Sequence, residues 1–261
     1  MGAPMRRLIE FPCAGETLMG TLDEAAGNTG LLIVSGGNEI RSGAHRGMAM
    51  LAARVAAELG APVFRFDRRG IGDSSGENRG FESSVQDIAA AAATFTAEAP
   101  HIRRLVAFGN CDAATALALF HSVAGVDALL LANPWVIETA DGLPPAAAIR
   151  AHYADRIRDP REWARLVRGG VDIRKLFSGL SKISNSASEN TSGLATRMAD
   201  ALTNSGTPTT ILLAKGDNTA IAFRDAWKGA APLAHCDTAS HSFAHAEDKL
   251  WLFERVKEAL A

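Results

Sequence analysis

The stretch Leu105-Val106-Ala107-Phe108-Gly109-Asn110-Cys111-Asp112-Ala113-Ala114 constrains this chain more than any other. An apolar run of buried-strand type meets Gly-x-Cys-x-Ala, and an Ala/Leu-rich helical pattern follows. A strand that turns straight into a helix about one residue is a nucleophile elbow. The turn is tight enough to strain its central residue, so the positions two before and two after must be small. Gly109 and Ala113 meet that demand. The elbow places its central side chain at the exposed end of a sheet and at a helix N-terminus, where the helix dipole and free N–H groups favour negative charge. A thiol in that position ionises more readily. Cys111 therefore reads as a nucleophile; the competing reading is a buried, inert core cysteine.

The rest of the chain supplies the setting. Leu8 to Cys13 and Thr17 to Leu22 alternate and are split by Ala14-Gly15-Glu16, the pattern of an antiparallel hairpin. Leu31 to Val34 reads as a buried strand, His45 to Leu59 as a helix stopped at Gly60, and Pro62 to Phe66 as the next strand. Ser83 to Thr96 is helical, with Ser83 or Ser84 as cap. Arg104 to Phe108, the helix Asp112 to Phe120 and the strand Asp127 to Ala132 continue the alternation. Such alternation implies a mainly parallel sheet with helices on both faces. From 136 to 205 no strand pattern occurs. Helical pieces at Pro145 to Ile157 and Pro160 to Val167 and a polar stretch, Ser181 to Ser192, read as a helical cap insertion. Within it Tyr153, Trp163, Leu166 and Phe177 either line an acyl pocket or pack the cap onto the body. The sheet resumes at Thr209 to Ala214, a helix spans Ile221 to Trp227, Leu233 to Thr238 is the last strand, and a helix runs from Glu247. The core is thus expected at 1–135 and 206–261.

Composition narrows the partners. A net charge of −2 gives no electrostatic reason for nucleic acid or an anionic membrane. Three cysteines, Cys13, Cys111 and Cys236, are far apart and form no CxxC pair, so no disulfide framework or zinc site is expected. No stretch reaches the length of a membrane span, and residues 1–7 lack a signal-type apolar run. The expected setting is cytoplasmic, with a small-molecule substrate, no metal and no cofactor. A Gly-x-Gly at Gly70-Ile71-Gly72 lacks the Lys-Ser/Thr ending of a phosphate loop.

Acyl transfer needs a nucleophile, a base, a group to orient the base and donors for the oxyanion. Cys111, then Asp217 in the turn after a strand, then His241 after the last strand follow the α/β-hydrolase order of nucleophile, acid and histidine. His241 would take the thiol proton or hold the thiolate as an ion pair, and Asp217 would fix the ring's tautomer. Asp225 and Asp237 compete with Asp217, and His245 with His241. The backbone N–H of Asp112 and that of Gly37, in Ser35-Gly36-Gly37, are the expected oxyanion hole; an ordinary turn is the other reading of these glycines. Glu39 either modulates the thiol proton or is a surface residue. In the loop Asp67-Arg68-Arg69-Gly70-Ile71-Gly72-Asp73-Ser74, Asp67 and Arg69 are expected to pair as a brace.

Four stretches occur together: Ser42-Gly43-Ala44-His45-Arg46, Phe64 to Ser74, Gly109-Asn110-Cys111-Asp112-Ala113-Ala114 and Leu131-Ala132-Asn133-Pro134-Trp135-Val136. With Gly216-Asp217 and His241-Ser242-Phe243-Ala244, they resemble the exosortase A system-associated hydrolase, type 1, a branch of the α/β-hydrolase superfamily. The resemblance implies the α/β-hydrolase fold and supports Cys111, Asp217 and His241 by position, without naming a substrate. The chain departs from that branch at Asn38-Glu39-Ile40, on the oxyanion side.

The leading reading is thus a cysteine-dependent hydrolase of an ester or thioester. An acyl thioester also reacts with amines, alcohols and thiols, so an acyltransferase fed by an acyl carrier is the alternative. A non-catalytic hydrolase-fold binding protein is the third. Oligomeric state has no sequence signature here.

Overall fold

The alternation at the N-terminus closes as the expected hairpin. β1 (Arg6–Cys13) pairs antiparallel with β2 (Glu16–Asp23), ending on the pair Cys13–Glu16. The two turn residues, Ala14 at φ 52° and Gly15 at φ 85°, are both left-handed, which matches the twist of a two-residue hairpin loop. The computed structural model describes residues 5–136 and 193–261. Within these residues β1 and β2 flank a parallel array of β3 (Thr29–Val34), β4 (Val63–Phe66), β5 (Arg104–Asn110), β6 (Ala128–Ala132), β7 (Thr209–Ala214) and β8 (Leu233–Cys236). The sheet order is β1-β2-β4-β3-β5-β6-β7-β8, with β2 antiparallel to β4. The described residues therefore form the α/β-hydrolase fold: an eight-stranded, mostly parallel sheet between helices.

Six α-helices flank it among the described residues: α1 (Gly47–Arg54), α2 (Ser84–Glu98), α3 (Asp112–Phe120), α4 (193–205), α5 (Asn218–Ala226) and α6 (Ala246–Leu260). Side chains alternate across the strands, so each strand feeds two cores. Leu32, Val34, Ala107, Leu129 and Leu131 pack with α2, α3, α4 and α5. Leu31, Ile33, Val106, Phe108 and Leu130 pack with α1 and α6. Burial on both faces explains the continuous apolar runs in place of polar alternation. Met198 and Leu202 of α4 join the first core. Residues 137–192 lie outside the described residues, and with them Tyr153, Trp163, Leu166, Phe177 and most of the expected insertion.

One expected contact is replaced. Asp67 does not pair with Arg69. Asp67, fully buried, accepts from the Arg41 backbone N–H at 2.5 Å and pairs with the Arg41 guanidinium. Arg69 bonds Asp87 of α2 at 2.5 Å. Asp67 leaves the end of β4 pointing toward the loop after β3, whereas Arg69 is already in the turn and leans over α2. The brace exists, but it ties the loop to two neighbours instead of to itself.

Candidate active site

The C-terminal ends of β3, β5, β6, β7 and β8 bring their following loops to one edge, where parallel sheets place ligands. The elbow after β5 is strained as its sequence demands. Cys111 has φ 62° and ψ −129°, a region L-residues rarely occupy. Its N–H donates to Ala132 O at 2.9 Å, and its carbonyl accepts from Ala114 N at 3.1 Å and Trp135 N at 3.2 Å. The small neighbours are obligatory. A Cβ on Gly109 would lie 2.9 Å from the Ala113 carbonyl and from Leu117 Cδ1. A Cβ on Gly36 would lie 2.3 Å from Asn110 O and 3.2 Å from Cys111 Cβ, so the glycine loop packs directly on the elbow.

Asp217 caps α5, accepting from Ala220 N–H at 3.0 Å. That cap starts the helix at Asn218, three residues before the first apolar residue of its pattern. The same oxygen, Oδ2, accepts from His241 Nδ1 at 2.9 Å. That leaves Nε2 as the ring nitrogen available to Cys111, which lies close enough to act on the ring. Burial disfavours the charged ring, but the Asp217 and Cys111 hydrogen bonds and charges outweigh it and push the His241 pKa up to about 10. The structure thus gathers Cys111, His241 and Asp217. The rivals lie elsewhere. Asp225 is exposed and neighbours Arg224 at 3.9 Å, and Asp237 is exposed and faces Lys215 at 3.8 Å. His245 is the N-cap of α6, in a reciprocal capping box with Asp248.

Two asparagines that sequence reasoning passed over hold the histidine loop. Asn133, fully buried at φ 40°, donates from Nδ2 to His241 O at 3.0 Å and to Asn110 Oδ1 at 3.2 Å. Its Oδ1 accepts from Ala214 N–H at 2.9 Å. Asn110 Nδ2 donates to the same His241 carbonyl at 3.2 Å. The loops after β5, β6, β7 and β8 are tied through this pair. Asn-Pro at a strand end was the available signal, since asparagine tolerates positive φ. Phe243, at φ 53° and buried, stacks on Trp251 at 5.7 Å and anchors the other side of the loop.

On the oxyanion side the Asp112 N–H opens α3 and is one of the donors a helix start leaves free. The Gly37 N–H is engaged: it donates to Asp112 Oδ1 at 2.5 Å. Arg68, itself buried, donates to Gly37 O at 2.6 Å and lies 3.2 Å from Asp112 Oδ2. Glu39 holds the turn through its backbone N–H to Gly36 O at 3.0 Å. Its carboxylate has no hydrogen bond to Cys111, His241 or Asp217 among the described residues. Cys111 is half-buried, whereas Cys13 and Cys236 are buried. Burial, reinforced by Asp87 and Asp248 respectively, pushes both of those thiols up to about 11. Among the described residues no three His, Cys, Asp or Glu side chains gather as a metal site, and no helix is long and apolar enough to cross a membrane.

Several solved structures share this architecture. An esterase of Pyrococcus furiosus matches at 15% identity over 99% of this chain and 92% of its own, with a TM-score of 0.63. The alpha/beta hydrolase GrgF of Penicillium sp. matches at 18% identity over 98% of both chains, with a TM-score of 0.61. A lidless serine hydrolase of Xanthomonas campestris matches at 16% identity over 98% of this chain and 93% of its own, with a TM-score of 0.59. Identities this low establish a common fold and leave function to the site. No curated protein matches the chain in sequence. The alpha/beta hydrolase family model matches residues 31–254, from β3 into α6. With the elbow, the strand order and that match in agreement, the chain belongs to the alpha/beta hydrolase family.

Proposed function

We propose that this protein hydrolyses an ester or thioester of a small molecule through an acyl-Cys111 intermediate. The observation that carries the reading is a strained, half-buried Cys111 beside His241, whose Nδ1 is fixed on Asp217 at 2.9 Å. In this mechanism His241 Nε2 takes the thiol proton. The sulfur attacks the acyl carbon, and the Asp112 N–H receives the oxyanion. The protonated ring then gives its proton to the leaving oxygen or sulfur as the tetrahedral carbon collapses to the acyl-enzyme. Water, activated by the now neutral ring, releases the acid.

The finer kinship, to the exosortase-associated branch, is part of the same proposal and rests on the motifs from Ser42 to Val136. The division into a core and a cap insertion at 136–205 is also proposed, from the absence of a strand pattern there; its last part, α4, packs into the first core. The cytoplasm is the compartment we propose, on the basis of three unpaired thiols.

The test is intact mass and peptide mapping after brief exposure to 4-nitrophenyl acetate. Wild type should gain one acetyl group on Cys111, and Cys111→Ala none. His241→Ala should acylate more slowly by about 10²-fold or more. A wild-type protein that acquires no acyl group on Cys111 would overturn the reading. Repeating the experiment with a competing thiol or amine partitions the intermediate between water and an acceptor, and transfer outrunning hydrolysis would make the enzyme an acyltransferase.

A further inference from the structure

Asp112 presents two groups to the site, and they oppose each other. Its N–H opens toward the elbow. Its carboxylate turns back and takes the Gly37 N–H at 2.5 Å, the donor that an incoming acyl oxygen would use. The arrangement is built. Arg68, 2% exposed, lies 3.2 Å from Asp112 Oδ2 and holds the Gly37 carbonyl at 2.6 Å. Its other nitrogen donates to the buried Ser84 hydroxyl at 2.9 Å. The Asp112 side chain keeps 16% of its surface exposed, so the carboxylate sits at the boundary of the site and can leave it.

We infer that the Asp112 carboxylate is a latch on the oxyanion side of Cys111, a positioning residue that the substrate's carbonyl oxygen must displace from the Gly37 N–H. The inference rests on the proposed acyl-Cys111 chemistry. An oxyanion and a carboxylate cannot share one N–H, and their like charges repel at that range. While the latch is closed, the Asp112 N–H works without its second donor. Once the carboxylate swings away, Arg68 still neutralises it, and the Gly37 N–H completes the hole. A substrate able to open the site is one whose bound groups compensate that displacement, so small activated esters should use the enzyme poorly relative to their chemical reactivity.

Two reactions of the same sulfur separate this effect from thiol reactivity. Acylation by 4-nitrophenyl acetate passes through an oxyanion; alkylation by iodoacetamide does not. The ratio of the two rates at Cys111 is measured in wild type, Asp112→Ala and Asp112→Asn. Asp112→Ala should raise the ratio about 10²-fold, the lower range of what one oxyanion donor contributes. Asp112→Asn, whose amide oxygen accepts more weakly, should raise it by a smaller factor. A ratio that is unchanged or lower in Asp112→Ala, while wild-type Cys111 acylates, overturns the latch alone. If Cys111 alkylates but is not acylated in wild type, the nucleophile reading fails and takes the latch with it. Should Asp112→Ala not fold, the isosteric Asp112→Asn decides by the direction of its ratio. In wild type the amide proton of Gly37 should also exchange slowly although the residue is exposed, and fast exchange would count against a closed latch.

Discussion

Asn133 offers the sharpest test of how the site is held. Replacing it by alanine removes three hydrogen bonds, but their costs differ. The Ala214 N–H, fully buried, loses its acceptor at 2.9 Å and finds no other. The His241 carbonyl keeps Asn110 Nδ2 at 3.2 Å, so its loss is partial. Asn110 Oδ1 loses its donor at 3.2 Å. An orphaned buried N–H costs about 1–3 kcal/mol, and the φ of 40° suits alanine less well than asparagine. The sum is about 3 kcal/mol, which for a chain of this size lowers Tm by roughly 6–12 °C. Asn133→Asp separates hydrogen bonding from packing. Its carboxylate can still accept from Ala214, but it turns an oxygen toward two acceptors, His241 O and Asn110 Oδ1. Burial and these neighbours raise the new carboxyl's folded pKa above the unfolded value of about 3.9. Below pH 4 the protonated group can donate as the amide did, and stability should be near wild type. As pH rises, the folded state must either keep its proton or bury a charge, so the variant loses stability progressively. Urea unfolding at pH 4 and pH 8, followed by far-UV circular dichroism, checks both variants. An alanine cost under about 1 kcal/mol, or an aspartate cost that does not change with pH, would refute the assignment of Asn133 as the tie between the β6 and β8 loops.

Other consequences follow from the same geometry. The alkaline limb of the pH–rate profile for Cys111 acylation should lie near 10, where the His241 ring gives up its proton. In Asp217→Asn that limb should move toward the ordinary histidine value of about 6.5, because the partner that favours the charged ring is lost; a limb that stays in place would remove Asp217 from its role. Gly109→Ala should cost about 1–3 kcal/mol in stability and abolish acylation, since its Cβ meets the Ala113 carbonyl at 2.9 Å; a stable, active variant would show that the elbow relaxes. Iodoacetamide near neutral pH should label Cys111 alone, with Cys13 and Cys236 protected by burial and by pKa values of about 11. Equal labelling of all three thiols by peptide mapping would contradict that protection.

Much of this site was legible one residue at a time. The elbow could be read because its steric demand is local: Gly109 and Ala113 lie within two residues of Cys111, and no distant contact alters that constraint. Asp217 and His241 could be read because parallel strands deliver their C-terminal ends to one edge, so a residue's place after a strand stands in for its place in space. Pairings were harder. Asp67 and Arg69, two residues apart, looked like partners, yet each found its partner in another loop or helix, Arg41 and Asp87. His245 looked like a spare base and serves as a helix cap.

The strand and helix pattern, the elbow and the order of Cys111, Asp217 and His241 along the sheet edge were therefore determined by the sequence alone, because each follows from short-range sterics or from the periodicity of burial. Only the tertiary structure decided that Asn133 and Asn110 hold the His241 carbonyl, and that the Asp112 carboxylate takes the Gly37 N–H. Those bonds join residues 75 to 131 positions apart. Hydrogen-bond partners across such separations are chosen by which loops the folded sheet brings within about 3 Å of one another, a distance that no local pattern encodes.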